Sequence, residues 1–163
     1  MRRRFGKIIS EIAKKDEKVI LLVGDIGYGI FDEFRRCHPK RFFNMGICEQ
    51  ALIGTAAGMA LEGLKPWVYT ITPFLIERPF EQIKLDINQQ KANVNLVGFA
   101  DYPTLGPTHS ELNAKKLMSL FHNIKCFYPK NSADTERYTK KIHKIKGPAF
   151  MSLKTDKYLK KRF

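Results

Sequence analysis

RFFNMGICEQALIGTAAGMALEGLKPWVYTITPFL, residues 41–75, decides the fold. Phe42 to Met45 is a short apolar run that predicts a strand. Gly46 interrupts it, and Gln50 to Glu62 has the length and composition of a helix. Pro66 then punctuates the entry to a second strand, Trp67 to Ile71, rich in aromatic and β-branched residues. Strand, helix and strand in this succession join parallel neighbours through a crossover. The helix carries Gly and Ala on most of its faces, so another backbone or a flat ligand can come close to it. One carboxylate, Glu49, stands at the junction between the first strand and the helix.

The same alternation continues outward in both directions. Phe5 to Lys14 places Phe5, Ile8, Ile9, Ile12 and Ala13 on a helical stripe, and Val19 to Val23 is a buried strand. Further strands are predicted at Val94 to Phe99, Ile124 to Tyr128 and Ala149 to Leu153. Helices are predicted at Phe80 to Gln90, Ser110 to Phe121 and Ala133 to Lys144, the last preceded by the capping residues Asn131 and Ser132. The reading is one α/β domain over residues 1–163, with a doubly wound, mostly parallel sheet and a basic tail over 154–163. In such sheets ligands sit beyond the carboxyl ends of the strands. Glu49, Thr72-Pro73-Phe74 and the segment from Asp101 to His109 each follow a predicted strand, so three loops are expected to converge there.

A net charge of +13 raises the possibility of a nucleic-acid partner. Eight of the thirteen charges lie in residues 1–7 and 154–163, and the cluster from Arg137 to Lys146 alternates with apolar residues at helical spacing. That distribution describes solvated faces and a tail better than a binding stripe, and a basic surface also attracts acidic subunits and sugar phosphates. Cys37, Cys48 and Cys126 show no paired spacing, which fits reduced thiols. No apolar stretch approaches a membrane span, and the N-terminal Arg2-Arg3-Arg4 is not followed by a signal-peptide core. A cytoplasmic protein without a membrane anchor is expected.

Residues 41–75, followed by EQIKLDI (81–87) and GPTH (106–109), resemble the pyrimidine-binding domain of transketolases and 1-deoxyxylulose-5-phosphate synthases. The resemblance extends from about Val19 to Leu153. It implies a thiamine diphosphate cofactor, with Glu49 on the family's glutamate that hydrogen-bonds the aminopyrimidine ring and shares a proton with it. The protein then supplies orientation and a poised proton, and the cofactor supplies the carbanion chemistry. By the same resemblance Phe74 stacks on the aminopyrimidine, Phe80 is a second aromatic near it, and Ile47 belongs to the cofactor-binding motif. His109 matches a histidine that reaches substrate oxygens near the reactive carbon, a role that suits an imidazole.

Three weaker positions complete the expected site. Arg78 is read as a surface cation, an interface ion-pair partner or a substrate-phosphate ligand. Lys154 lies near the place of a phosphate-binding arginine, although a solvated tail lysine is the simpler reading. Asp101 is the nearest carboxylate to the position where the family carries Gly-x-Asp. Here Tyr102-Pro103-Thr104-Leu105 precede Gly106, which leaves the donor and acceptor sugars unassigned. Gly24-Asp25-Ile26-Gly27 lacks the second glycine of a diphosphate motif and reads as a strand-end turn, so no metal site is expected in this chain.

The resemblance also implies a missing half, because the family's site forms between a pyrimidine domain and a separate diphosphate domain. The expectation is a small subunit of a split transketolase-like enzyme that transfers a two-carbon ketol unit between sugar phosphates. Its partner would be a larger diphosphate-domain subunit holding Mg2+ or Ca2+, in an α2β2 assembly. The alternatives are a deoxyxylulose-phosphate-synthase-like or decarboxylating enzyme subunit, a catalytically silent scaffold or regulatory homologue, and a basic nucleic-acid-binding module.

Overall fold

Strands made wholly of apolar residues need cover on both faces, and here they have it. The computed structural model describes residues 1–99 and 105–154. Among these, β1 (Val19–Val23), β2 (Phe42–Asn44), β3 (Lys65–Ile71), β4 (Asn95–Phe99), β5 (Lys125–Phe127) and β6 (Ala149–Leu153) form one sheet. Its order is β2-β1-β3-β4-β6-β5, and every neighbouring pair is parallel. The chain leaves β1 for β2 on one side and returns to β3 on the other. The switch point between β1 and β3 is where such sheets open a crevice for ligands.

Side chains alternate between two cores, as the two-residue period of a strand requires. Val19, Leu21, Val23, Trp67, Tyr69, Val97 and Phe99 face one core. There they meet α1 (Arg2–Ala13), α2 (Asp32–Cys37) and α7 (Ser132–His143) through Phe5, Ile9, Phe34 and Ile142. Ile20, Leu22, Val68, Leu96 and Phe150 face the other core. That face is covered by α3 (Glu49–Leu61), α4 (Thr72–Ile76), the helical segment from Phe80 to Gln89 and α6 (Ala114–Met118).

The expected order of elements is present, with four local departures. The helix predicted over 80–90 begins as a single α turn, α5 (Phe80–Gln82), and continues as a π-helix over Ile83–Gln89. Either winding turns Ile83 and Ile87 into the core, so apolar spacing does not distinguish them. The helix predicted over 110–121 shortens to α6, because the Asn113 side chain accepts the Lys116 N–H and starts the helix there. The Leu112 N–H, ahead of that cap, donates to Glu77 Oε1 at 2.9 Å. Two short helices were not predicted: α2, in which only Phe34 is buried, and α4, which replaces the Thr72-Pro73 bend with a helix carrying Pro73 in its first turn.

α4 starts where it does because Gly98 on β4 lets it approach. A Cβ at Gly98 would lie 2.5 Å from Thr72 Oγ1 and 3.1 Å from Thr72 Cα. Gly98→Ala should therefore lower the unfolding free energy by roughly 1–3 kcal/mol, as overpacking does, measured by urea titration. A neutral result would show that the α4 start is free to move.

Asp16, in the turn after α1, fastens three segments. It accepts Lys65 Nζ at 2.7 Å and the Lys18 N–H at 3.0 Å, and His143 Nε2 lies 3.4 Å away. Burial pushes the Asp16 carboxyl upward, but the Lys65 and Lys18 hydrogen bonds and the Lys65 and His143 charges outweigh it and hold the group below its usual value. A depressed folded-state pKa gives stability that is present above the unfolded value and is lost as the pH falls through the folded one. Asp16→Asn should cost about 1 kcal/mol at neutral pH. Its gap to the wild type should begin to close as the pH falls below about 4. Paired denaturant titrations across that range check this, and a gap that ignores pH would contradict it.

Candidate active site

The positive φ of Gly46 (71°) turns the chain out of β2 and into α3, a conformation that a side chain makes costly. Two residues on, Cys48 caps the helix through its backbone, and its Sγ donates to Met45 O at 2.7 Å. Glu49 is then the first residue of α3. A glutamate at that place ordinarily serves the helix dipole from a solvated position. This one is only 3% exposed, and a buried carboxylate requires a partner.

Arg78 supplies the partner. Its Nη1 donates to both Glu49 oxygens, each at 3.1 Å. The same guanidinium lies over Phe74, with Cζ 3.6 Å from the ring centroid. Phe74 in turn meets the His109 ring edge to face at 4.8 Å. The segment after β2, the α4 turn after β3 and the loop before α6 therefore deliver Glu49, Phe74 and His109 to one place, as the loop positions predict. His109 sits in a 3-10 turn over Pro107–His109 that follows Gly106 at a φ of 100°. The hydroxyl of Thr108 lies 3.1 Å from His109 Nδ1.

The remaining predicted positions are distributed around this cluster. Ile47 is 73% exposed on the turn before Glu49. Phe80 packs inward, its ring 5.0 Å from Phe121 and against the core under α3. Lys154 is exposed just past β6, in an open cleft that also presents Lys115, Lys130, Tyr128 and Ser152. Burial pushes the Tyr128 hydroxyl pKa upward, with the neighbouring Cys126 adding to it. Asp101 lies outside the described residues, as do 155–163 of the predicted tail. The Gly24–Gly27 segment is the strand-end turn it was predicted to be: Asp25 takes a φ of 51° and exchanges hydrogen bonds with the Asn44 side chain. No three His, Cys, Asp or Glu side chains converge as a metal site among the described residues.

What sequence reasoning missed is the Arg78–Glu49 pair. The spacing of 29 residues carries no helical or strand period, so nothing local announces it. The pair is made within this chain and is not one of the three readings expected for Arg78. Chemically, a buried carboxylate stands close to an aromatic face, an arrangement that can seat a flat group with its edge at Glu49 and its plane on Phe74.

Residues 1–160 match the family described as transketolase, pyrimidine binding domain. A transketolase family protein of Sinorhizobium fredii, itself uncharacterised, is 34% identical over 91% of this chain and 44% of its own length. One of the apulose-4-phosphate transketolase subunits of Actinobacillus succinogenes is 36% identical over 71% of this chain and 38% of its own. Among solved structures, a split gene transketolase described as an inactive β4 tetramer superimposes with a TM-score of 0.85 at 32% identity, over 94% of this chain and 50% of that one. The Campylobacter jejuni transketolase shares the fold, with a TM-score of 0.79 at 18% identity, over 94% of this chain and 25% of that one. The chain spans less than half the length of these curated relatives. With nearly every residue inside the match, and with the motif glutamate buried beside an aromatic face, the chain belongs to the transketolase pyrimidine-binding domain family.

Proposed function

We propose that this chain is the pyrimidine-domain subunit of a split thiamine diphosphate-dependent transketolase-like enzyme. The observation that carries the reading is the buried Glu49 carboxylate, with a planar nitrogen-rich group against it and Phe74 beneath that group. Bound there, the cofactor supplies the carbanion chemistry of ketol transfer. Glu49 holds and shares a proton at the pyrimidine ring nitrogen, which the burial of its carboxylate favours by excluding competing water. Phe74 fixes the plane of the ring, and Ile47 flanks it from the turn before Glu49. Phe80 supports the seat from the core side. His109, against the outer edge of Phe74, is placed to exchange a proton with a substrate oxygen.

The second half of the site belongs to a larger diphosphate-domain subunit, which holds Mg2+ or Ca2+ through oxygen ligands. Apolar surface near the seat supports such a contact. Ile47 is 73% and Leu61 61% exposed, and Ala51 and Gly58 of α3 also face outward. An α2β2 assembly follows from doubling that pair by symmetry. The substrates are sugar phosphates, whose phosphate is met by the lysines of the Lys154 cleft, with Asp101 reading a sugar hydroxyl. No helix among the described residues is long and apolar enough to cross a membrane, and we place the enzyme in the cytoplasm.

Affinity purification of the tagged chain from its native cells should recover a larger protein with a diphosphate-binding motif. The pair should then transfer a ketol unit in a thiamine diphosphate-dependent assay. Glu49→Gln should lower turnover by at least about a hundredfold while circular dichroism and pull-down remain unchanged. Activity with a decarboxylated donor instead of a ketose would select the deoxyxylulose-phosphate-synthase-like alternative. A partner without a diphosphate motif would select the silent scaffold.

A further inference from the structure

We infer that Arg78 is an internal occupant of the pyrimidine seat, a side chain that holds the cofactor's place in the free subunit and must leave it for the cofactor to enter. The inference rests on reading Glu49 and Phe74 as that seat. The two contacts expected of an aminopyrimidine are an edge hydrogen bond to the glutamate and a face on the phenylalanine. Arg78 makes both at once, with Nη1 3.1 Å from each Glu49 oxygen and Cζ 3.6 Å above the Phe74 ring. A guanidinium and a 4-aminopyrimidine are both planar, delocalised nitrogen groups that can meet a carboxyl group at the edge and an aromatic ring at the face. The guanidinium donates to Glu49, and the pyrimidine meets it through a ring nitrogen that shares the glutamate's proton. They cannot occupy the same face of Phe74 and the same carboxylate together.

The physical reason for the arrangement lies in Glu49. A carboxylate this deeply buried is costly without a counter-charge. In the free chain Arg78 provides one, through a fork that stacks as well as it donates. The exit is also visible. The Arg78 side chain is 34% exposed, so it can swing out along its flexible stem while the backbone stays in place. That backbone is held by Pro79 behind it and by Gln50 Nε2, which donates to Arg78 O at 3.3 Å. Cofactor binding then exchanges one flat group for another and needs no movement of α3 or α4. The seat's affinity for the ring is lowered by the fraction of time that Arg78 fills it.

The test is titration of thiamine, which carries the aminopyrimidine without the diphosphate, into the isolated full-length chain. Calorimetry and the backbone amide signals of Gly46 and Cys48 serve as readouts. Arg78→Ala should bind thiamine on the order of tenfold more tightly than the wild type, by removal of the competing occupant. Arg78→Gln, which keeps part of the stem, serves if the alanine variant leaves Glu49 too poorly paired to fold. Low concentrations of methylguanidinium should compete with thiamine in either variant, and adding Glu49→Ala to either should abolish the gain. Equal affinity of the wild type and both Arg78 variants would overturn the inference while leaving the seat intact, provided that Glu49→Ala still weakens binding. Thiamine binding that is indifferent to Glu49, or absent from every variant, would remove the pyrimidine seat and this inference with it.

Discussion

A carboxylate taken out of water at the start of a helix is the constraint around which this site is organised. Desolvating Glu49 costs several kcal/mol unless the charge is matched and its lone pairs are engaged. The chain meets that requirement with Arg78, whose two contacts to Glu49 come from a segment 29 residues away. The pairing ties the loop after β2 to the turn after β3. Because the guanidinium also lies on Phe74, it ties both to the ring that His109 touches. One buried charge thus joins three loops, together with the Gln50–Arg78 and Leu112–Glu77 hydrogen bonds.

The scaffold makes such placement possible by being rigid on both faces. Large side chains such as Trp67, Tyr69, Phe99 and Phe150 are fully buried in two cores separated by the sheet. Close approaches between elements are made where a side chain is missing, as at Gly98 beneath Thr72. Phe74 inherits its position from that contact: Thr72 is held against β4, Pro73 fixes the backbone angle of the first helical turn, and Phe74 follows. The outer face of α3 does the opposite. Its small and apolar residues leave surface that nothing in this chain covers among the described residues, and a helix of that character is stable when a further surface packs on it.

Legibility in the sequence followed the range of the interactions involved. β1 is an uninterrupted apolar run and β6 is interrupted only by Ser152, and both are readable to the residue. β2 and β5, at the sheet edges, end earlier than their apolar runs because they are paired on one side only. α6 is shorter than its apolar spacing predicts, because the Asn113 side chain caps the helix at the Lys116 N–H and the chain before it is held by the Leu112–Glu77 hydrogen bond. α2 escapes a sequence reading because a helix with one buried residue leaves no periodic trace. In the site, the positions of Glu49, Phe74 and His109 at strand ends can be read from the chain, and their chemical roles from family likeness. The Arg78–Glu49 pair can be read from neither. It depends on two loops meeting in space, and Arg78 viewed alone is indistinguishable from the many solvated cations of a chain with a net charge of +13.

The choice of arginine over lysine at position 78 suits the proposed site, whose other half belongs to a partner subunit. A site shared between two chains leaves each of them with a polar group made for a ligand that is absent until assembly. A lysine could neutralise Glu49 as a point charge, but it would hold its own hydration strongly and leave the Phe74 face uncovered. An open carboxylate without a counter-charge would draw water into the site. A guanidinium meets the edge and the face together. It is weakly hydrated enough to enter and, being one-third exposed, close enough to solvent to leave. The chain on its own thereby keeps Glu49 paired, Phe74 covered and His109 packed beside it.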